Sequence, residues 1–400
     1  MKQRACLFIR TAALWRASLV RTAALWRASL VFIVLAACQP VSPASLPSAL
    51  PPPRVVVETV TPSPVPTITL TASATPTVKE LIFPYTIDGL RQHDFQSGQI
   101  HIRSTLDDEN QFYTSYLIDY PSDGLTITGV MQIPVGEGPF PVIVMNHGFF
   151  ARSVYHSGDG TDRASPYLAE HGYITLASDY RSWGGSDIGS SLFYSGLVTD
   201  VVNLIRAIPS IPEADPSRVG IWGHSMGGGV TMKVLAILGD RDGNSKTQIR
   251  AAVLYSPVSA DDADIINRWG MGCFGDIAEG EQIVGCNSSD VIPLSQVPRN
   301  LQDAYRYAAS DADTLKEISP FYHLDLVSVP VQIHYGTEDG RFLSGTPPEW
   351  SVKLTQGLRE AGKDVELLQY EGEGHSFIGQ PWFDFMGRTL RFFDKYVKNK

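Results

Sequence analysis

Residues 221–229 read Ile221-Trp222-Gly223-His224-Ser225-Met226-Gly227-Gly228-Gly229, and the rest of the chain is read outward from them. The run Ser217 to Trp222 ends apolar, as a buried strand does, and Val230 to Leu238 is an apolar stretch of helical length. A strand, the pattern G-x-S-x-G and a helix, in that order, set a serine on a sharp turn. The glycines answer a steric need. A serine on such a turn has a strained backbone, and side chains two residues to either side would meet the strand or the helix.

Outward from this turn the chain alternates. Tyr113 to Tyr120 and Leu125 to Pro134 flank Pro121-Ser122-Asp123-Gly124 and read as a hairpin. Apolar runs at Pro141–Asn146, Tyr173–Ala177, Ala251–Tyr255, Val329–Tyr335 and Val365–Tyr370 read as further strands. Helical spacing is found over Asp162–His171, Leu192–Ile208, Ser351–Ala361 and Phe383–Val397. Strands alternating with helices predict an α/β architecture: a mostly parallel central sheet with helices on both faces. The rhythm lapses over 260–321, about sixty residues without strand alternation. An insertion there is expected to sit over the carboxyl ends of the strands as a cap.

Composition supports a folded body, with 43% hydrophobic and 10% aromatic residues in a 400-residue chain. Residues 1–37 carry six basic residues and no acid, so beyond them 26 basic face 42 acidic residues. A body this acidic, with no Lys/Arg cluster, is not expected to bind nucleic acid.

The N-terminal part reads as address and tether. Arg10 to Val20 recurs unchanged as Arg21 to Val31, a tandem of eleven residues far too short and too exact for a solenoid repeat. With one copy set aside, 1–37 has the form of a signal peptide: basic residues, then Ala28 to Ala37 as the apolar stretch. Arginines interrupt every longer apolar window, which argues against a spanning helix. Leu35-Ala36-Ala37-Cys38 resembles a bacterial lipobox, which implies lipid attachment at Cys38. Ten of the forty residues from Gln39 to Val78 are proline, so 38–80 is expected to be an extended tether. The expectation is an exported protein held to the bacterial envelope by lipid, with its folded domain, 81–400, outside the cytoplasm.

Cys273 and Cys286 have twelve residues between them, and in an exported protein they read as a disulfide. No His or further Cys stands at zinc-ligand spacing, so neither a metal nor a cofactor is expected. Asp240-Arg241-Asp242-Gly243-Asn244 has part of a calcium-loop pattern, but its glycine comes too early and no Glu closes it. It reads as a helix-ending turn.

A serine hydroxyl is a weak nucleophile that needs a base, and the base needs an orienting carboxylate. Three histidines follow Ser225. His334 lies inside an apolar strand and His323 precedes the acidic turn, whereas His375 stands in the glycine-loosened loop Glu371 to Phe377 after the last strand. That leaves His375 as the base. Glu338 and Asp339, in Gly336-Thr337-Glu338-Asp339-Gly340, are both candidates for the acid. His147 and His224 read as structural supports. Asp179 to Asp187 reads equally as a loop-shaping segment or a substrate contact.

Together the segments "PSDGLTITGVMQIP", "FPVIVMNHG", "GYITLASDYRSWGGSD", "DPSRVGIWGHSMGGG" and "GKDVELLQYEGEGHSF" resemble the prolyl-oligopeptidase-like serine hydrolases of the α/β-hydrolase fold, over roughly 113–400. The resemblance implies chain order Ser, acid, His, and its G-T-x-D pattern selects Asp339. It implies a Ser225–Asp339–His375 triad, with an oxyanion hole from the N–H groups of Met226 and Phe149. The substrate implied is a small ester or short peptide. Two features depart from the peptidases: residues 39–112 are too few to build a β-propeller, and "GHSMGG" is equally typical of esterases and lipases. The alternatives are a peptidase acting on short peptides and a catalytically inactive binding protein on the same fold.

Overall fold

The computed structural model describes residues 75–239, 247–275 and 285–400. The leader with its duplication, Cys38, nearly all of the expected tether and Asp240–Asn244 lie outside the described residues. Among the described residues, regular structure begins with the helix Val78–Ile82, a few residues before the expected boundary at Leu81. Thr77 caps that helix, with Glu80 returning the bond, and Ile82 is buried.

Among the described residues nine strands form one sheet: β1 (His101–Asp107), β2 (Tyr113–Ser122), β3 (Leu125–Pro134), β4 (Phe140–Asn146), β5 (Ile174–Ser178), β6 (Ala214–His224), β7 (Ile249–Tyr255), and two more after the cap. Within the cap lie β8 (Gly272–Phe274) and β9 (Asn287–Ile292), and beyond it β10 (Val331–Gly336) and β11 (Val365–Tyr370) complete the sheet. The order is β1-β2-β3-β5-β4-β6-β7-β10-β11. The first three strands run antiparallel, and β5, β4, β6, β7, β10 and β11 pair in parallel.

Strand side chains alternate between two cores, which is why the parallel strands read as unbroken apolar runs. Val142, Val144, Ile221, Leu254 and Ile333 enter one core with the helices Ser195–Ala207, Met226–Leu238 and Pro348–Glu360. Ile143, Met145, Trp222, Val253 and Tyr255 enter the other with Ala164–Glu170 and Gln380–Phe393. The helix Met226–Leu238 is buried almost all round. Arg91 serves its C-terminal end by donating to the carbonyls of Ala236 and Ile237 at 2.9 and 3.3 Å.

Two expectations need correction. The strand β1 is absent from the sequence reading because all seven of its residues are exposed, so no burial pattern marks it. The cap is not free of strands either: β8 and β9 pair in parallel, and Cys273 in β8 is bonded to Cys286 just before β9, with Cα atoms 5.1 Å apart. The sequence Asn287-Ser288-Ser289-Asp290 hid β9 because the strand is buried in a polar setting. A smaller shift occurs at Ser195–Ala207, which starts later than expected because Phe193 and Tyr194 have φ of 52° and 62°.

Polar bonds anchor the cap from beneath. Asp290 of β9 accepts from the Tyr194 N–H at 2.8 Å and from Ser191 Oγ at 3.2 Å. Nearby, buried Lys233 donates to the Phe193 carbonyl at 2.7 Å and pairs with Asp262 at 3.4 Å. Burial pushes the Asp290 carboxyl up to about 7. A carboxyl with a raised folded-state pKa contributes stability that is full below the unfolded value and is lost as pH rises through the folded one. Wild type should therefore lose melting temperature relative to Asp290→Asn between about pH 4 and about pH 7. Parallel melting curves across that range check this.

Candidate active site

Ser225 links β6 to the helix Met226–Leu238 with φ 54° and ψ −119°. Its N–H donates to the Tyr255 carbonyl at 3.0 Å, and its own carbonyl accepts from Gly228 at 2.9 Å and Val258 at 3.0 Å. The flanking glycines are required by contact. A Cβ on Gly223 would lie 2.3 Å from the Gly227 carbonyl oxygen, and one on Gly227 would lie 2.0 Å from that of Asn146. Neither neighbour can move, because both are backbone.

The residues singled out in sequence come together here. His375 Nε2 lies 2.9 Å from Ser225 Oγ, and His375 Nδ1 lies 3.0 and 3.1 Å from the two oxygens of Asp339. In the tautomer that gives Nδ1–H to the carboxylate, the ring presents Nε2 as an acceptor to the serine hydroxyl. The Asp339 side chain is 1% exposed, against 25% for His375. Glu338, the other candidate acid, pairs with Arg341 at 2.6 Å on the surface.

Burial alone would raise the Asp339 pKa, but bonds from His375, Thr346 and the Gly340 N–H outweigh it and hold the carboxyl below its usual value. Gly340 N–H donates at 2.7 Å, and Thr346 offers its N–H at 2.9 Å and its hydroxyl at 2.8 Å. Sequence reasoning missed Thr346. It stands seven residues beyond Asp339 in an unremarkable Ser-Gly-Thr-Pro-Pro run, and only the fold of the loop returns it to the carboxylate.

His147 and His224 do not reach Ser225 Oγ as bases. The His147 ring lies against Tyr155 and Tyr180 with its nitrogens on the carbonyls of Gly148 and Asp179, and burial lowers its pKa. His224 stacks on Tyr255 and lies 3.1 Å from the His375 carbonyl, and burial pushes it down to about 3. Both are supports, and His224, neutral, lies directly under the His375 loop. His334 is enclosed in β10 between Tyr370 and Gln332. His323 is on the surface with Nε2 on the Lys316 carbonyl. Asp179 takes the loop-shaping alternative: buried, it accepts from Thr128, Tyr155 and Ser157.

The loop after β4 packs on Ser225 so closely that a Cβ on Gly148 would lie 3.1 Å from Ser225 Cβ. The Phe149 N–H and the Met226 N–H have no acceptor among the described residues. Above them opens a cavity of about 1210 Å³ that reaches Ser225, His224 and His375. Phe149, Phe150, Tyr194 and Trp382 supply aromatic wall, and Arg268 to Gly270 with Gly285 to Ser289 form the side contributed by the insertion. The insertion therefore borders the site.

Comparison with known proteins agrees with this architecture. A family model described as alpha/beta hydrolase fold matches residues 194–379. The acylamino-acid-releasing enzyme of Arabidopsis thaliana is 25% identical over 252 residues, covering 59% of this chain and 28% of that protein. Esterase FrsA of Shigella boydii is 30% identical over 111 residues, covering 28% of this chain and 25% of that protein. The chain thus spans about a quarter of the length of these curated relatives. The acetyl xylan esterase of Paenibacillus sp. R4 superposes with a TM-score of 0.53 at 17% identity, over 81% of this chain and 96% of that one. The fold is that of the α/β-hydrolases, and the named sequence relatives include an esterase and an acylamino-acid-releasing enzyme.

Thr346→Val should remove one donor to a buried carboxylate while leaving the Gly340 and Thr346 N–H groups in place. A buried acceptor that loses a hydroxyl partner costs about 1–3 kcal/mol, so any hydrolytic rate is expected to fall by roughly tenfold. A rate within about twofold of wild type would show that the hydroxyl does not support Asp339.

Proposed function

We propose that the chain is a serine hydrolase that cleaves a carboxylic ester or a peptide-like amide through an acyl-enzyme. The observation that carries this reading is the hydrogen-bonded chain from Ser225 Oγ through His375 to Asp339 at the floor of an open cavity. Ser225 Oγ attacks the carbonyl carbon as its proton passes to His375 Nε2. Asp339 stabilises the imidazolium from the Nδ1 side without taking the proton. The carbonyl electrons move onto oxygen, and this reading assigns the N–H groups of Met226 and Phe149 to receive it, each such donor being worth about 2.7–4 kcal/mol. Collapse expels the alcohol or amine, which takes the proton from Nε2, and water then repeats the sequence to release the acid.

The triad serves both leaving groups, so substrate choice rests on the cavity. Its volume suits small-molecule esters and short peptides, and an ester is the reading favoured here, with a peptidase acting on short peptides as the alternative. The lipobox-like Leu35-Ala36-Ala37-Cys38 supports placing the enzyme on the outer side of a bacterial membrane, held through lipid on Cys38.

A fluorophosphonate probe should label wild type and leave Ser225→Ala unlabelled; labelling that persists in the variant, or no labelling of wild type, would sink the enzyme reading. Asp339→Asn should lower kcat by about 10⁴, the loss expected when the imidazole is held in the wrong tautomer. p-Nitrophenyl esters of graded length, run against prolyl and alanyl anilides, separate esterase from peptidase by the ratio of kcat/KM. In a bacterium that exports the chain, Cys38→Ala should shift the protein from the membrane to the soluble fraction, and unchanged membrane retention would refute the anchor.

A further inference from the structure

The Asp339 loop has little apolar packing of its own, although Gly345 N–H donates to the Phe342 carbonyl at 3.0 Å and Thr346 Oγ lies 3.0 Å from the Ser256 carbonyl. Residues 339–346 wrap the carboxylate so tightly that a Cβ on Gly345 would lie 2.5 Å from Asp339 Oδ1. Besides His375, the donors to that carboxylate, Gly340 N–H, Thr346 N–H and Thr346 Oγ, belong to the same segment. Yet its bulky apolar side chains, Phe342 and Leu343, are 79% and 67% exposed and contribute little packing.

The backbone is instead gripped from the cap. Arg268, in the last turn of the cap helix Asp262–Trp269, donates to the carbonyls of Gly340 at 3.1 Å and Phe342 at 2.8 Å. The next residue, Trp269, donates from Nε1 to the Leu343 carbonyl at 2.7 Å. The helix has a firm base from which to do this. Lys353 pairs with Asp261 at 2.8 Å and Asp264 at 2.9 Å at its N-terminal end, and Trp269 packs edge-on against Trp350, with ring centroids 5.4 Å apart. Arg268, Trp269 and Leu343 also line the cavity over Ser225.

We propose that Arg268 and Trp269 are positioning residues that hold the Asp339 loop in register with His375, so that the cap sets the reactivity of Ser225 as well as the shape of the cavity. This rests on the hydrolase reading above. Three hydrogen bonds to three carbonyls of one short loop fix where its N–H groups point, and those N–H groups fix the carboxylate. A displacement of about 1 Å at a catalytic group costs up to roughly a hundredfold in rate, so a clip of this kind acts on the chemical step.

The test separates chemistry from cavity shape with two probes too small to fill the cavity, diisopropyl fluorophosphate and p-nitrophenyl acetate. Fluorophosphate inactivation joins Ser225 Oγ to phosphorus and expels fluoride, so its rate reports the nucleophile alone. In Arg268→Ala/Trp269→Phe the second-order inactivation constant and the kcat for the acetate should each fall about tenfold, with KM within about twofold of wild type. Arg268→Lys, which keeps a donor to the carbonyls, should recover most of the loss relative to Arg268→Ala. An unchanged inactivation rate in a double variant with a native circular dichroism spectrum would overturn the proposal, as would a rise in KM with kcat unchanged. Should the double variant fail to fold, Trp269→Phe alone decides, because it keeps the ring and deletes only the donor. Wild type that reacts with no fluorophosphonate would instead refute the hydrolase reading.

Discussion

Ser225 keeps φ at 54°, a conformation that costs a non-glycine residue of order 1–3 kcal/mol and persists only where the surroundings enforce it. Enforcement comes from every side. Its N–H is bonded to Tyr255 of β7, and its carbonyl is bonded to the first turn of the following helix and to Val258 beyond β7. Gly227 presses so close to the Asn146 carbonyl at the end of β4 that no other residue fits. The three strands whose ends meet at this turn, β4, β6 and β7, are adjacent in the sheet, and their shared register fixes the turn.

Once the turn is fixed, the other groups need only be delivered to it. The order of the sheet places β10 and β11 beyond β7, so the loops after them carry Asp339 and His375 to the same edge. Loop conformation alone would leave both residues free to wander. His375 is backed by neutral His224, whose ring sits on Tyr255, and Asp339 is enclosed by its own loop, which in turn is gripped by the cap. Contacts thus run from the sheet outward to His375 and from the cap inward to the Asp339 loop. A carboxylate held on both sides can orient an imidazole without being protonated itself, because its bonds outweigh the effect of burial.

The cap was legible only as a lapse in rhythm. Its strands are short or polar, and what anchors it is a set of buried polar contacts around Asp290, Lys233 and Tyr194 that no periodicity announces. Strand β1 escaped notice for the opposite reason, since a wholly exposed edge strand carries no burial pattern at all. By contrast, β4 was read within a residue of its ends, because a strand in the interior of a parallel sheet carries a strong apolar signal.

By itself the sequence determined the alternation of strands and helices, the turn at Ser225 and the loop that carries His375, because each depends on local sterics or on apolar spacing. It narrowed the acid to Glu338 or Asp339 but had no physical means of choosing between adjacent carboxylates on a turn. The tertiary structure sets the two apart, turning Asp339 into a buried ring of donors beside His375 and Glu338 toward Arg341 on the surface. It also brought Thr346, Arg268 and Trp269 to the site from positions without a local signature. Hydrogen bonds between a side chain and a distant carbonyl depend on where the chain returns in space, and spacing along the chain does not encode that.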